Sequence, residues 1–104
     1  MIVSLFENIK MTAYWVAHVD VQDPDIYAEY AKRATAAIES HGGRFLARAT
    51  KTVWLEGNER ARNVVIEFPD VQSAEDCYNS AAYQEAVGFA KRSAVRDLCI
   101  IEGN

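Results

Sequence analysis

The run Arg62-Asn63-Val64-Val65-Ile66-Glu67-Phe68, closed by Pro69 and Asp70, decides how the rest of the chain is read. Its β-branched residues and the proline that stops it mark a strand. Apolar residues follow one another almost without a break, which predicts a strand covered on both faces. Glu67 interrupts that run. A carboxylate taken out of water must be paired, hydrogen-bonded or protonated, because an isolated charge is too costly to desolvate. The first candidate for chemistry therefore sits in the middle of the expected sheet.

Upstream, Tyr14 to Val21 reads as a strand, with Trp15, Ala17, Val19 and Val21 on one side and Tyr14, Val16, His18 and Asp20 on the other. The second side mixes apolar and polar residues, so it faces something other than a plain core. Asp23 and Pro24 start a helix as N-cap and first helical residue, with Asp25 in the first turn. Tyr27, Tyr30, Ala31, Ala34 and Ile38 form its inward stripe, and Gly42 with Gly43 ends it. Arg44 to Leu55 reads as the next strand, kinked near Ala49 and Thr50, and Glu56 to Arg60 as a loop of hairpin length. Beyond the central strand, Ser73 can cap a second helix, with Asp76 returning the hydrogen bond. Asn79 and Ser80 interrupt that helix, and Ser80 can recap its continuation through Tyr83, Val87 and Ala90. Leu98 to Ile101 reads as the last strand.

The order is βαββαβ, two similar halves whose right-handed crossovers generate a ferredoxin-like α+β sandwich. A four-stranded antiparallel sheet is expected, with both helices on one face and His18 and Glu67 on adjacent central strands. The uncovered face needs a partner, and a two-fold homodimer joined sheet face to sheet face, a dimeric α+β barrel, is the simplest solution.

At 104 residues the chain suits one domain, and with half its residues apolar and a quarter charged its composition is ordinary for a globular protein. Met1 to Lys10 differs in character from the rest of the chain and reads as an extension ahead of a domain over residues 11–104. A net charge of −4 argues against nucleic acid or an anionic membrane as partner, and no apolar run approaches the roughly 20 residues of a bilayer span. Cys77 and Cys99 lie far apart without CxxC spacing, which suits a reduced, cytoplasmic chain. His18 and His41 give no metal-ligand spacing, and phosphate-loop and dinucleotide fingerprints are missing, so neither metal nor cofactor is expected.

Tyr14 with Trp15, the Asp23, Pro24, Tyr27, Tyr30 series, and Gly42, Gly43, Leu46, Ala47, Arg48 fit one further pattern. Glu56 with Gly57, Glu67 with Phe68, then Tyr78, Asn79, Ser80, Tyr83, and the closing Glu102 and Gly103 continue it. Together they resemble the domain of unknown function 1330 family over Met11 to Gly103. The resemblance implies a ferredoxin-like protomer and a sheet-to-sheet homodimer of the dimeric α+β-barrel group. That wider group includes cofactor-independent monooxygenases, haem-degrading enzymes, lactone isomerases and stress-response proteins, whereas the family itself has no agreed activity. Ala49 and Thr50 stand where the family often has glycines, Cys77 where it often has tryptophan, and Ala81 where it often has proline.

Two classes of function are open. In the first, the protein binds or transforms an apolar ligand carrying a carbonyl or carboxylate, as a cofactor-independent monooxygenase or isomerase would. Glu67 then moves a proton, with His18 as a second proton carrier near neutrality. Arg48 clamps an anionic group, and Tyr78, Ser80 and Tyr83 line the pocket at the helix break. In the second, the chain is a noncatalytic structural or stress-related dimer. Glu67 pairs with Arg48 or Arg62, His18 is an interface residue, Ser80 is a cap, and the tyrosine rings pack in the core.

Overall fold

In a computed structural model of the protein, residues 10–49 and 51–104 are described. The expected extension over residues 1–10 therefore lies outside the described residues, apart from Lys10. Among the described residues, seven elements occur in order: β1 (Ala13–Val21), α1 (Pro24–Ser40), β2 (Arg44–Ala49), β3 (Arg62–Phe68), α2 (Val71–Asn79), α3 (Ala81–Ser93) and β4 (Ala94–Glu102). The strands form one antiparallel sheet in the order β2-β3-β1-β4, the ferredoxin-like arrangement with β1 and β3 in the centre. The break at Ser80 divides the second helix, so three helices cover one face.

Period-two alternation turns Ala13, Trp15, Ala17 and Val19 of β1 and Ile66 and Phe68 of β3 towards the helices, where all are buried. Trp15 is their hub. Its ring stacks on Phe68 with centroids 5.5 Å apart and meets Tyr83 edge-on at 5.1 Å. Opposite them, α1 contributes Tyr27, Tyr30, Ala34, Ala37 and Ile38, the predicted stripe in large part.

Local chemistry sets the helix ends. The Asp23 carboxylate accepts from the Ile26 N–H, and Pro24 opens α1. At the other end the Gly43 N–H donates to the Ile38 carbonyl and the Gly42 N–H to that of Glu39, a Schellman closure with Gly42 at a φ of 81°. An added Cβ on Gly43 would collide with Ile38 and the Phe68 ring, so this glycine lets the chain turn back against the core. The start of α2 differs from expectation. Asp70, directly after the proline that ends β3, caps it by accepting from the Ser73 N–H at 2.7 Å. Ser73 is thus inside the first turn, and Asp76 instead accepts from Gln72. Ser80 does recap the chain: its hydroxyl donates to the Cys77 carbonyl at 2.7 Å and accepts from the Tyr83 N–H. Replacing it, Ser80→Ala, should cost about 1 kcal/mol and lower Tm by roughly 4–8 °C in a thermal melt.

Two strands have other bounds than the sequence suggested. β4 begins at Ala94, immediately after α3, because β1 pairs along it without interruption from Val21↔Ala94 to Ala13↔Glu102. β2 ends at Ala49 rather than Leu55, and Thr50, part of the expected kink, lies outside the described residues. Residues 51–61 form no strand, and Val53 and Leu55 are 71 % and 88 % exposed. Within β2 the register slips: Phe45 faces Ile66, yet Ala47 faces Val65. This bulge sets two β2 residues against one step of β3 and turns Arg48 to the same side as Phe45.

Among the described residues, no helix covers the other face of the sheet. Val16, His18, Asn63, Val65, Glu67, Val95, Asp97, Cys99 and Ile101 alternate onto it, with Val95 43 % and Ile101 53 % exposed. The segment after β2 folds back over one end of this face. Trp54 lies against the His18 ring at 5.4 Å, Asn63 donates to the Thr52 hydroxyl, and Arg60 binds both Asp20 and Asp97. Among the described residues no helix is long and apolar enough to cross a membrane.

Candidate functional site

A cavity of about 490 Å³ opens between α1 and the sheet. Trp15, Ala17 and Val19 of β1 form its floor with Val64 and Ile66 of β3, and Phe45 of β2 lies beside them. Tyr27, Tyr30, Ala34 and Ile38 of α1 form the opposite wall. The small alanines at 31 and 34, at helical spacing among larger residues, leave the room. Its polar lining is concentrated in Arg48, Arg62, Arg96, Thr35 and the tyrosine hydroxyls.

One polar cluster is buried. The hydroxyls of Tyr30 and Tyr83 lie 2.7 Å apart, and Nη1 of Arg96 donates to Tyr30 at 2.7 Å and to Tyr83 at 3.3 Å. Burial is the main reason the Tyr30 phenol keeps its proton far above the ordinary tyrosine range; the neighbouring Tyr83 adds to this and Arg96 opposes it. Burial likewise raises Tyr83, against Arg96, and raises Tyr27 with Tyr30 adding. These hydroxyls therefore act as hydrogen-bond donors and acceptors at neutral pH, not as phenolate bases. For Arg96 burial disfavours the cation, but attraction to the Tyr30 and Tyr83 oxygens outweighs it and the group stays charged.

The residues singled out from sequence divide between the two faces of the sheet. Arg48 lines the cavity, its guanidinium 3.7 Å above the Phe45 ring. Tyr83 joins the cluster at its wall, while Ser80 acts through the backbone, capping the helix that carries Tyr83. Tyr78 is at the surface, beside a smaller hollow of about 230 Å³ that it shares with Trp15 and Leu98. Glu67 and His18 lie on the helix-free face, directed away from the cavity. Glu67 pairs with Arg44 at 3.1 Å, neither Arg48 nor Arg62, because the register sets Arg44 opposite it. His18 faces Asn63 across the ladder, with Nδ1 2.6 Å from the amide oxygen. Glu67 stands opposite Tyr14, four residues along β1, so these two candidates do not meet.

Sequence reasoning missed Arg96. Its signal was the alternation from Ala94 to Glu102, which would have extended β4 upstream and placed Arg96 on the helix-facing side. Tyr30 reads as core from its spacing, and its hydroxyl finds a role only through a partner 53 positions away.

The sequence pattern of the domain of unknown function 1330 family matches residues 12–104. The chain belongs to that family. No curated protein matches this family member in sequence. Among solved structures, the RPA0582 protein of unknown function from Rhodopseudomonas palustris is similar, with a TM-score of 0.76 at 17 % identity over 99 % of this chain and 91 % of that one. SnoaB, a cofactor-independent oxygenase from Streptomyces nogalater, aligns with a TM-score of 0.63 at 12 % identity, over 90 % of this chain and 94 % of its own. A dimeric protein of unknown function with a ferredoxin-like fold from Bacteroides fragilis gives 0.59 at 9 % identity, over 88 % and 96 %. At these identities the likeness is one of fold between the family member and its neighbours.

Proposed function

We propose that this chain binds a small, largely apolar organic ligand in the cavity between α1 and the sheet and acts on it without a cofactor. The observation that carries this reading is the cavity itself, about 490 Å³ with aromatic walls and a few polar side chains in its lining. That volume and lining are typical of small-molecule sites. SnoaB, similar in fold, is a cofactor-independent oxygenase, which supports the same type of chemistry here. Such chemistry asks the protein to enclose the substrate and stabilise developing negative charge. With Tyr83 donating to Tyr30, the Tyr30 proton is left to point at a ligand oxygen. Arg96 beside it balances developing charge, and Arg48 holds an anionic group.

His18 and Glu67, each engaged on the helix-free face, belong in this reading to a homodimer interface. Two protomers meet sheet face to sheet face and cover Val16, Val65, Val95 and Ile101. The dimeric state of the Bacteroides fragilis neighbour supports it.

Filling the cavity tests the first part. Ala34 is buried in its wall, and Ala34→Phe places a ring in the empty volume. Native mass spectrometry after incubation with a panel of apolar aromatic compounds should show adducts on the wild type. At least about tenfold less should be retained by the variant, with the circular dichroism spectrum unchanged. Equal retention by both proteins, or none by the wild type, overturns the reading.

A further inference from the structure

Resting on that cavity reading, we infer that the ligand is a small organic dianion, a flat apolar dicarboxylate. The first ground is how the arginines are partnered. Arg33, Arg44 and Arg60 each hold a carboxylate. Arg48, Arg62 and Arg96 line the cavity, and among the described residues they have no carboxylate partner and no Asp or Glu joins them in its wall. The chain carries 15 acidic and 11 basic side chains, so unpaired carboxylates were available. Arg48 and Arg62 are exposed and Arg96 is half-buried, so the cavity offers three guanidinium groups whose combined positive field favours an anionic ligand.

The second ground is orientation. Each guanidinium lies over an aromatic ring: Arg48 over Phe45 at 3.7 Å, Arg96 over Tyr30 at 4.7 Å and Arg62 over Tyr27 at 5.1 Å. A guanidinium held against a ring is fixed in place while keeping N–H donors free for a carboxylate. Arg96 spends Nη1 on the two phenols, and its Nε and Nη2 have no partner among the described residues.

Register supplies the spacing. Val19 faces Arg62 on one side and Arg96 on the other, so these two lie in one row across the sheet, about 10 Å apart at the backbone. Arg48 faces Val64, which faces Ala17, a row displaced by two residues or roughly 7 Å along β1. One acid group fits between Arg62 and Arg96, a second at Arg48, and the aromatic walls grip a flat body between them.

Calorimetry with three probes of similar shape tests this: naphthalene-2,6-dicarboxylate, naphthalene-2-carboxylate and the neutral dimethyl ester of the diacid. The diacid should bind the wild type about tenfold more tightly than the monoacid, and the ester about a hundredfold more weakly than the diacid. Arg48→Gln, at an exposed position, should abolish the advantage of the diacid over the monoacid. An ester that binds as tightly as the diacid overturns the dianion while upholding the cavity as a ligand site. Equal affinity of diacid and monoacid for the wild type overturns the second acid group. If no probe binds, the dicarboxylate falls, and the cavity reading is judged on Ala34→Phe alone.

Discussion

Trp15→Ala should cost about 3–5 kcal/mol, on the order of half the stability of a domain this size. Trp15 is almost fully buried, stacks on Phe68, and meets the rings of Tyr78 and Tyr83. It also floors the cavity. Truncation removes a large apolar surface from the centre of the sheet, where strands on both sides limit relaxation. A thermal melt should show Tm lowered on the order of 20 °C. Trp54 supplies the contrast: it packs on His18 from an irregular segment, and Trp54→Ala should cost far less. Equal losses for the two tryptophans, or a fall of under about 5 °C for Trp15→Ala, would remove Trp15 from its place at the centre of the core.

The second large effect concerns the helix-free face. Val16 lies there between Val65 and Cys99 on the neighbouring strands. In the proposed dimer, Val16→Arg introduces two desolvated cations per interface, a change worth several kcal/mol and hence about a thousandfold in association. Light scattering should give twice the chain mass for the wild type and the single chain mass for the variant. Cys99, exposed on this face in a single protomer, reports the same event chemically. Iodoacetamide should alkylate it slowly in the wild-type dimer and at least about tenfold faster in the variant. Cys77 is the internal control: burial pushes its thiol up to about 11, so it should stay unmodified while the fold is intact. A wild type of single chain mass, or equal Cys99 rates in both proteins, rules the interface out.

The architecture was legible wherever short-range chemistry specifies it. Asp23, Pro24 and the Gly42-Gly43 pair bounded α1 because capping and closure act within a few residues. The β-branched run of β3 and the break at Ser80 were legible for the same reason. Pairing partners were not. Whether Glu67 meets Arg44, Arg48 or Arg62 depends on β2–β3 register, and the slip between Phe45 and Ala47 has no local signature in a run such as Phe45-Leu46-Ala47-Arg48. The almost unbroken apolar run suggested burial on both faces, and in the protomer only the helix-facing side of β3 is enclosed. The Tyr30–Tyr83–Arg96 cluster joins α1 to two elements more than 50 positions further on, so neither propensity nor spacing could assemble it.

The β2 bulge absorbs one residue of chain length while keeping the cavity's charge in place. In a regular strand, neighbours three positions apart point to opposite sides; the slip allows Phe45 and Arg48 to share one. Deleting one residue at the slip would leave a regular ladder in which Phe45 and Arg48, then two positions apart, still share the cavity side. Relatives differing by a single gap at this point would therefore offer a ligand the same charge, provided that the arginine beyond the gap is kept. For tracing how such a small fold diversifies, a one-residue gap in this strand carries less information than the identity of the residue aligned beyond it.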